Sequence, residues 1–210
     1  MRERARLLRD GPADPAWLSA LERQMAERGI AVSAARLSMA TALDGACATP
    51  PGAFPGARIA LEGALEDWLG ECPALEAEDR LAKALASSRN RDREAGSTAF
   101  GPHRADLRVF MRDTSMEAAL CSTGEQKALL IAITLAHARL QAKRTGCAPV
   151  LLLDEVVAHL DSRRREALFD SLQEVGAQAW LTGTDVALFR GILGRAQHVE
   201  VASATLVRKA

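Results

Sequence analysis

The sequence predicts an α/β chain in two parts: a mainly helical segment over 1–94 and a segment over 95–210 built on a parallel sheet. Three features carry this expectation. Val150-Leu-Leu-Leu153, four consecutive apolar residues after Pro149, reads as a strand buried on both faces, the pattern of a parallel sheet. Ser122 stands as an N-cap ahead of 128–140, an apolar run of helical length. Asp14-Pro15 opens another helix, in which Leu18, Leu21, Met25, Val32 and Met39 recur at near-heptad spacing.

Taken in order, the first long helix is expected to run to about Leu43. Arg28 and Gly29 interrupt its apolar seam, which favours packing against helices of the same subunit over a long coiled coil. Residues 45–56, rich in Pro and Gly, read as a loop, 58–61 as a short strand, and 75–87 as a helix with Leu81 and Leu85 on its apolar side. From about Ala95 the character shifts to strands, and a further strand is expected ahead of Thr184-Asp185.

Chemistry concentrates in the second part. Asp154 and Glu155 follow the apolar strand and so sit at the carboxyl edge of the sheet, where open α/β folds bind ligands. This is the arrangement of a Walker B segment: Asp154 is placed to hold Mg²⁺ through water, and Glu155 to take a proton from the water attacking a γ-phosphate. Ser122-Thr123-Gly124-Glu125-Gln126 resembles the signature loop of ABC-type ATPases, whose usual form is Ser-Gly-Gly-Gln. That resemblance implies a contact in trans with the γ-phosphate of ATP held by a second subunit. Asp161 then takes the place of the D-loop aspartate, and Thr184 the switch position, where many such ATPases carry a His. Threonine donates one hydrogen bond but carries no charge, so slower hydrolysis is expected. No Gly-x-x-x-x-Gly-Lys-Ser/Thr occurs in the 210 residues, so the loop that cradles the phosphates is not in this chain.

Gly101-Pro-His-Arg104-Ala-Asp106-Leu107 lies before the signature, and with Ser122 to Lys127 it resembles the RecF family of recombination mediator ATPases. Ala105 and His159 depart from the usual Asp and Glu of that family. The opening 4–11 also resembles the helix end that follows the Walker A lobe there. The resemblance covers essentially the whole chain. It implies the C-terminal half of an ABC-type (SMC/RecF-like) P-loop ATPase head with a short helical arm, beginning partway through the family's length. It also implies ATP and Mg²⁺ as cofactors of the parent protein, an ATP-dependent homodimer, double- and single-stranded DNA as ligands, RecO and RecR as partners, and a cytoplasmic location. The alternative is a non-enzymatic fragment that binds DNA or a partner but not ATP alone. A transporter ATPase subunit is disfavoured by Gly-Pro-His-Arg and by the arm.

Composition narrows the rest. Twenty-seven basic and twenty-seven acidic residues cancel, so DNA binding has to come from a local patch. Arg89, Arg91, Arg93, His103, Arg104, Arg108 and Arg112 supply one in sequence; Arg93, Arg104 and Arg108 are the candidate phosphate contacts. Cys47, Cys72, Cys121 and Cys147 lack metal-ligand spacing and read as free thiols. No apolar stretch is long enough to span a bilayer, and the absence of Tyr argues against base stacking as the main binding mode. His103 reads as a hydrogen-bonded residue of a Gly-Pro turn.

Overall fold

The structure, a computed structural model, describes residues 1–9, 14–202 and 205–209. They form two compact units that interleave along the chain: 1–42 with 59–108, and 43–58 with 109–210. The sequence reading placed a single change of character near Ala95.

The first unit is helical: α1 (Arg2–Arg9), most of α2 (Pro15–Cys47), α3 (Ala64–Glu71), α4 (Ala74–Ser87) and α5 (Arg89–Ala95). Asp14 caps α2 by accepting the Ala16 amide at 2.8 Å, ahead of Pro15, as the Asp-Pro pair predicts. The helix then continues past Leu43 to Cys47 and stops ahead of Pro50-Pro51, whose rings bar the preceding residues from helical backbone.

The buried stripe of α2 differs from the expected one. Leu18, Glu22, Ala26, Ile30, Ser33 and Ala40 are buried, whereas Val32 is 42 % exposed and Leu21, Met25 and Met39 are only partly covered. The true contact face is made of small residues and a paired carboxylate, so it lies to one side of the most apolar row. Gly29 belongs to it: a Cβ there would meet Leu81 Cδ2 at 3.1 Å, so its hydrogen lets α4 come close. Leu65, Ala77, Leu81 and Leu85 close this core from α3 and α4.

A buried ion network ties four of these helices. Arg4 donates to Glu22 at 2.9 Å, to Asp92 at 2.7 Å and to the Leu85 carbonyl at 2.7 Å, with its side chain wholly buried. Arg89 also binds Glu22, at 2.5 Å.

β1 (Ala57–Glu62) and β2 (Asp106–Met111) form a two-stranded sheet. The second unit then holds α6 (Thr123–Thr145), β3 (Leu151–Leu153), α7 (Ser162–Val175) and β4 (Ala179–Leu181), followed by the antiparallel pair β5 (His198–Ala202) and β6 (Thr205–Lys209). β3 and β4 run parallel with Leu151 beside Ala179 and Leu153 beside Leu181, and α7 is the crossover between them. α6 and α7 bury Leu151 and Leu153 against Leu135, Leu168 and Phe169. The expectation of a strand covered on both faces does not hold. Leu152 is 77 % exposed, and its neighbour Trp180 on β4 is 60 % exposed. Side chains alternate across a strand, and among the described residues helices cover only one side of it.

Candidate nucleotide site

The end of β3 builds the first cluster. Parallel pairing carries on one step past the strands, where the Thr182 amide donates to the Leu153 carbonyl at 3.2 Å. That register sets Thr182 beside the two acids. Its hydroxyl donates to Asp154 Oδ1 and accepts the Glu155 amide at 3.0 Å. Glu155 has left-handed backbone, φ 53° and ψ 18°, and turns the chain into the short 3₁₀ segment Val156–His159. A non-glycine residue holds that conformation only where its surroundings fix it, and the Thr182 hydrogen bond is such a restraint. Asp154 is exposed and Glu155 half-buried, so both carboxylates reach solvent at the sheet edge.

Sequence reading missed Thr182 and singled out Thr184 instead. Thr184 is exposed, and the next residue, Asp185, caps Val186–Phe189 by accepting the Ala187 amide at 2.8 Å. The signal that points to Thr182 was available: it is the first hydroxyl after the strand that pairs with the acid-bearing one.

The second cluster opens α6. Ser122 and Glu125 make a full capping box: the Glu125 amide donates to Ser122 Oγ at 3.4 Å, and Glu125 Oε2 accepts the Ser122 amide at 2.9 Å and the Ser122 hydroxyl at 2.7 Å. The Ser122 hydroxyl and then its amide hold the Glu125 carboxyl below the usual range, and the Arg164 charge adds to this. Gln126 Nε2 donates to the Cys121 carbonyl at 3.0 Å, fixing the entry to the helix. Thr123 and Gly124 are exposed, and open space surrounds Gly124 where a side chain would stand. A ligand can therefore approach the backbone closely at this turn.

Asp161 caps α7 by accepting the Arg164 amide at 2.9 Å, and its other oxygen lies 3.7 Å from Arg164 Nε. Arg164 thus lies beside Asp161, and its charge also acts on Glu125. His159 is exposed at the end of the 3₁₀ segment.

The arginines of the basic stretch have varied partners. Arg104 Nε and an Nη donate to the Thr98 carbonyl at 3.1 and 2.9 Å, and a His103 ring nitrogen shares that oxygen at 3.0 Å. Arg108 pairs with Glu62 at 3.2 Å. Arg112 binds Asp44 at 2.8 Å and the Ala57 carbonyl at 2.9 Å. Arg91 lies over the Phe100 ring, 5.5 Å from its centre. Arg93 stands exposed on α5. Cys47, near Asp44 and Arg112, is a buried thiol pushed up to about 11, chiefly by burial and then by Asp44.

No family model matches the chain. The chain is 51 % identical over 208 residues to the DNA replication and repair protein RecF of Mesorhizobium japonicum, a match covering 98 % of this chain and 55 % of that protein. It is 53 % identical over 208 residues to the protein of the same name from Brucella abortus, with 98 % and 54 % covered. Two solved structures match all of this chain: the recombination mediator protein RecF with an ATP analogue, TM-score 0.78 at 20 % identity and 56 % of that chain, and RecF with ATP, TM-score 0.74 at 19 % identity and 55 %. Those likenesses show that the chain has the fold of the matching part of these structures. The chain spans about half the length of the curated relatives it matches, and over that span it belongs to the RecF family.

Proposed function

We propose that this chain supplies the Walker B, signature, D-loop and switch segments of a RecF-type ATPase acting in DNA replication and repair. The observation that carries the proposal is the pair Asp154 and Glu155, held by one hydroxyl at the carboxyl end of a parallel strand. In this reading ATP drives homodimerisation, the dimer holds double-stranded DNA beside single-stranded gaps, and slow hydrolysis resets it. Recombinase loading with RecO and RecR, in the cytoplasm, is the setting. The relatives' names, DNA replication and repair protein RecF, and the solved RecF–ATP complex of the RecFOR pathway support it.

Each residue has a part. Glu155 accepts a proton from the attacking water. Ser122 to Gln126 meet the γ-phosphate bound by the partner subunit, with the amide-rich start of α6 favouring the anion. Asp161 lines that interface, and Thr184 serves as the switch. Mg²⁺ suits Asp154: a hard cation keeps most of its waters and takes one carboxylate plus phosphates, and an exposed carboxylate with a single oxygen engaged by Thr182 fits that demand. Among the described residues no group of three His, Cys, Asp or Glu surrounds a common metal position, and Asp154 is the residue that would hold the ion beside nucleotide phosphates. When bound, the ion neutralises charge building up on the phosphates. Among the described residues no helix is long and apolar enough to cross a membrane.

A second reading, a DNA- or partner-binding fragment that does not bind ATP by itself, is favoured by the missing phosphate loop. One experiment separates the two. Mg-ATP is titrated by calorimetry into the chain alone and into the chain completed by a RecF-type phosphate-loop lobe. The expected result is no binding by the chain alone, binding and turnover on completion, and for Glu155→Gln retained binding with a persistent dimer and a turnover lowered roughly 100-fold or more. Binding without turnover in the completed wild type supports the second reading, and undiminished turnover in Glu155→Gln removes Glu155 from its role.

A further inference from the structure

We propose that Thr182 is the positioning residue of the hydrolytic site, the group that holds the two acids of the Walker B segment in working geometry. The inference rests on the ATPase reading above and adds a residue that neither the motifs nor the family likeness pointed to.

A hydroxyl offers one donor and two acceptor positions. Here the donor goes to Asp154 Oδ1 and one acceptor position to the Glu155 amide, while the backbone amide of the same residue is committed to the Leu153 carbonyl. Thr182 therefore contacts three successive residues of the acid-bearing strand end from a neighbouring strand whose register is fixed by parallel pairing. Two consequences follow. Asp154 has one oxygen engaged, which orients the other toward solvent water and a hydrated cation. Glu155 is anchored by its own amide at φ 53°, where the chain leaves the strand, and this sets the direction its carboxylate takes. Nothing else described bonds the Glu155 amide. Valine has the shape of threonine without the hydroxyl, whereas serine keeps the hydroxyl without the methyl.

The test uses the chain completed by the phosphate-loop lobe, in wild-type, Thr182→Val and Thr182→Ser forms. It reads kcat, KM for ATP and amide hydrogen exchange at Glu155. Thr182→Val is expected to lower kcat roughly 10- to 100-fold, as losses in the shell behind a metal or reacting group do, with KM nearly unchanged. It should also speed exchange of the Glu155 amide, and Thr182→Ser should restore both. A packing role would instead show the loss in serine, which lacks the methyl, and little in valine, which keeps the shape. Unchanged kcat in Thr182→Val overturns the proposal, as does a loss that serine fails to restore. If Thr182→Val does not fold, a Glu155 amide unprotected in the wild type overturns the hydrogen bond on which everything rests, and a protected one slowed equally in Thr182→Ser supports it. A completed wild type that hydrolyses no ATP counts against the ATPase reading, while the exchange measurement still decides the role of Thr182.

Discussion

Arg4 shows how one buried charge is made tolerable. Its side chain is wholly buried and those of Glu22 and Asp92 are 2 % exposed, so removing Arg4 leaves Asp92 charged without a cation in a poorly solvating interior. Arg4→Met is expected to destabilise the chain by about 3 kcal/mol, the lower part of the usual range. Glu22 would keep Arg89, and Asp92 would keep Ser88 and the Ala99 amide. Adding Asp92→Asn should recover part of the loss, because the orphaned carboxylate is what costs; denaturant melts of the single and double variants read this directly. The network also sets an acid response. Burial pushes the Asp92 carboxyl up, but hydrogen bonds from Ser88, Arg4 and Ala99 together outweigh it and hold the group below its usual range. A folded-state value below the unfolded one means that this stability is present above the ordinary Asp range near pH 4, and is lost as pH falls through it toward the folded value. Arg4→Met should flatten that acid slope. None of this was legible in the sequence, where Arg4, Glu22 and Asp92 are three charges at scattered positions, and charge by itself reads as surface.

At the scale of elements, legibility followed what local chemistry controls. The Asp14-Pro15 start of α2, the Ser122 N-cap and helix α4 with Leu81 and Leu85 inward are all set by neighbours in sequence, and all were read from it, although the Glu125 half of the Ser122 cap was not. The seam of α2 was not, because its buried face depends on Gly29, Ser33 and a neutralised Glu22, residues that apolar counting passes over. β3 failed differently. Its composition is right for a strand covered twice, yet this chain supplies only one cover, leaving Leu152 and Trp180 side by side in water. The two halves of that strand should therefore respond in opposite ways to substitution. Leu151→Ser removes a side chain from the core of α6 and α7 and should cost about 2–5 kcal/mol. The pair Leu152→Ser and Trp180→Ser should change the stability of the isolated chain by no more than about 0.5 kcal/mol, as surface changes do, and should instead weaken assembly with the phosphate-loop lobe. Thermal melting of the chain and co-purification with that lobe separate the effects. A large loss of stability from the second pair would show that the exposed face is covered within the chain itself.

For the molecule as a whole, charge decides how DNA could be held. With 27 basic and 27 acidic residues no long-range field draws a polyanion, so affinity has to come from a few arginines placed on phosphates. The three candidates are not equivalent. Arg104 is committed to the Thr98 carbonyl through two nitrogens, beside a His103 ring nitrogen on the same oxygen, and so acts as an internal brace of the Gly-Pro turn. Arg108 is paired with Glu62 at 3.2 Å, a partly exposed bridge worth about 0–1 kcal/mol and open to exchange for a phosphate. Arg93 is exposed on α5. Each phosphate contact releases counterions, so losing one should reduce the slope of log affinity against log salt by about one, on any DNA sequence. In the completed protein, Arg93→Ala and Arg108→Ala are expected to flatten the slope in this way with little change in melting. Arg104→Ala is expected to lower melting through the loss of about 1–3 kcal/mol of hydrogen bonding at a partly buried carbonyl, with the slope kept. Salt-dependent affinity on two unrelated duplexes and on a single strand, measured beside thermal melting, reads every arm. If Arg104→Ala flattens the slope and leaves melting untouched, the guanidinium must leave Thr98 when DNA binds, and the Gly-Pro-His-Arg turn becomes a contact rather than a brace. If none of the three changes the slope, α5 and the Gly-Pro turn belong to architecture, and the phosphates are held by the other half of the family's length.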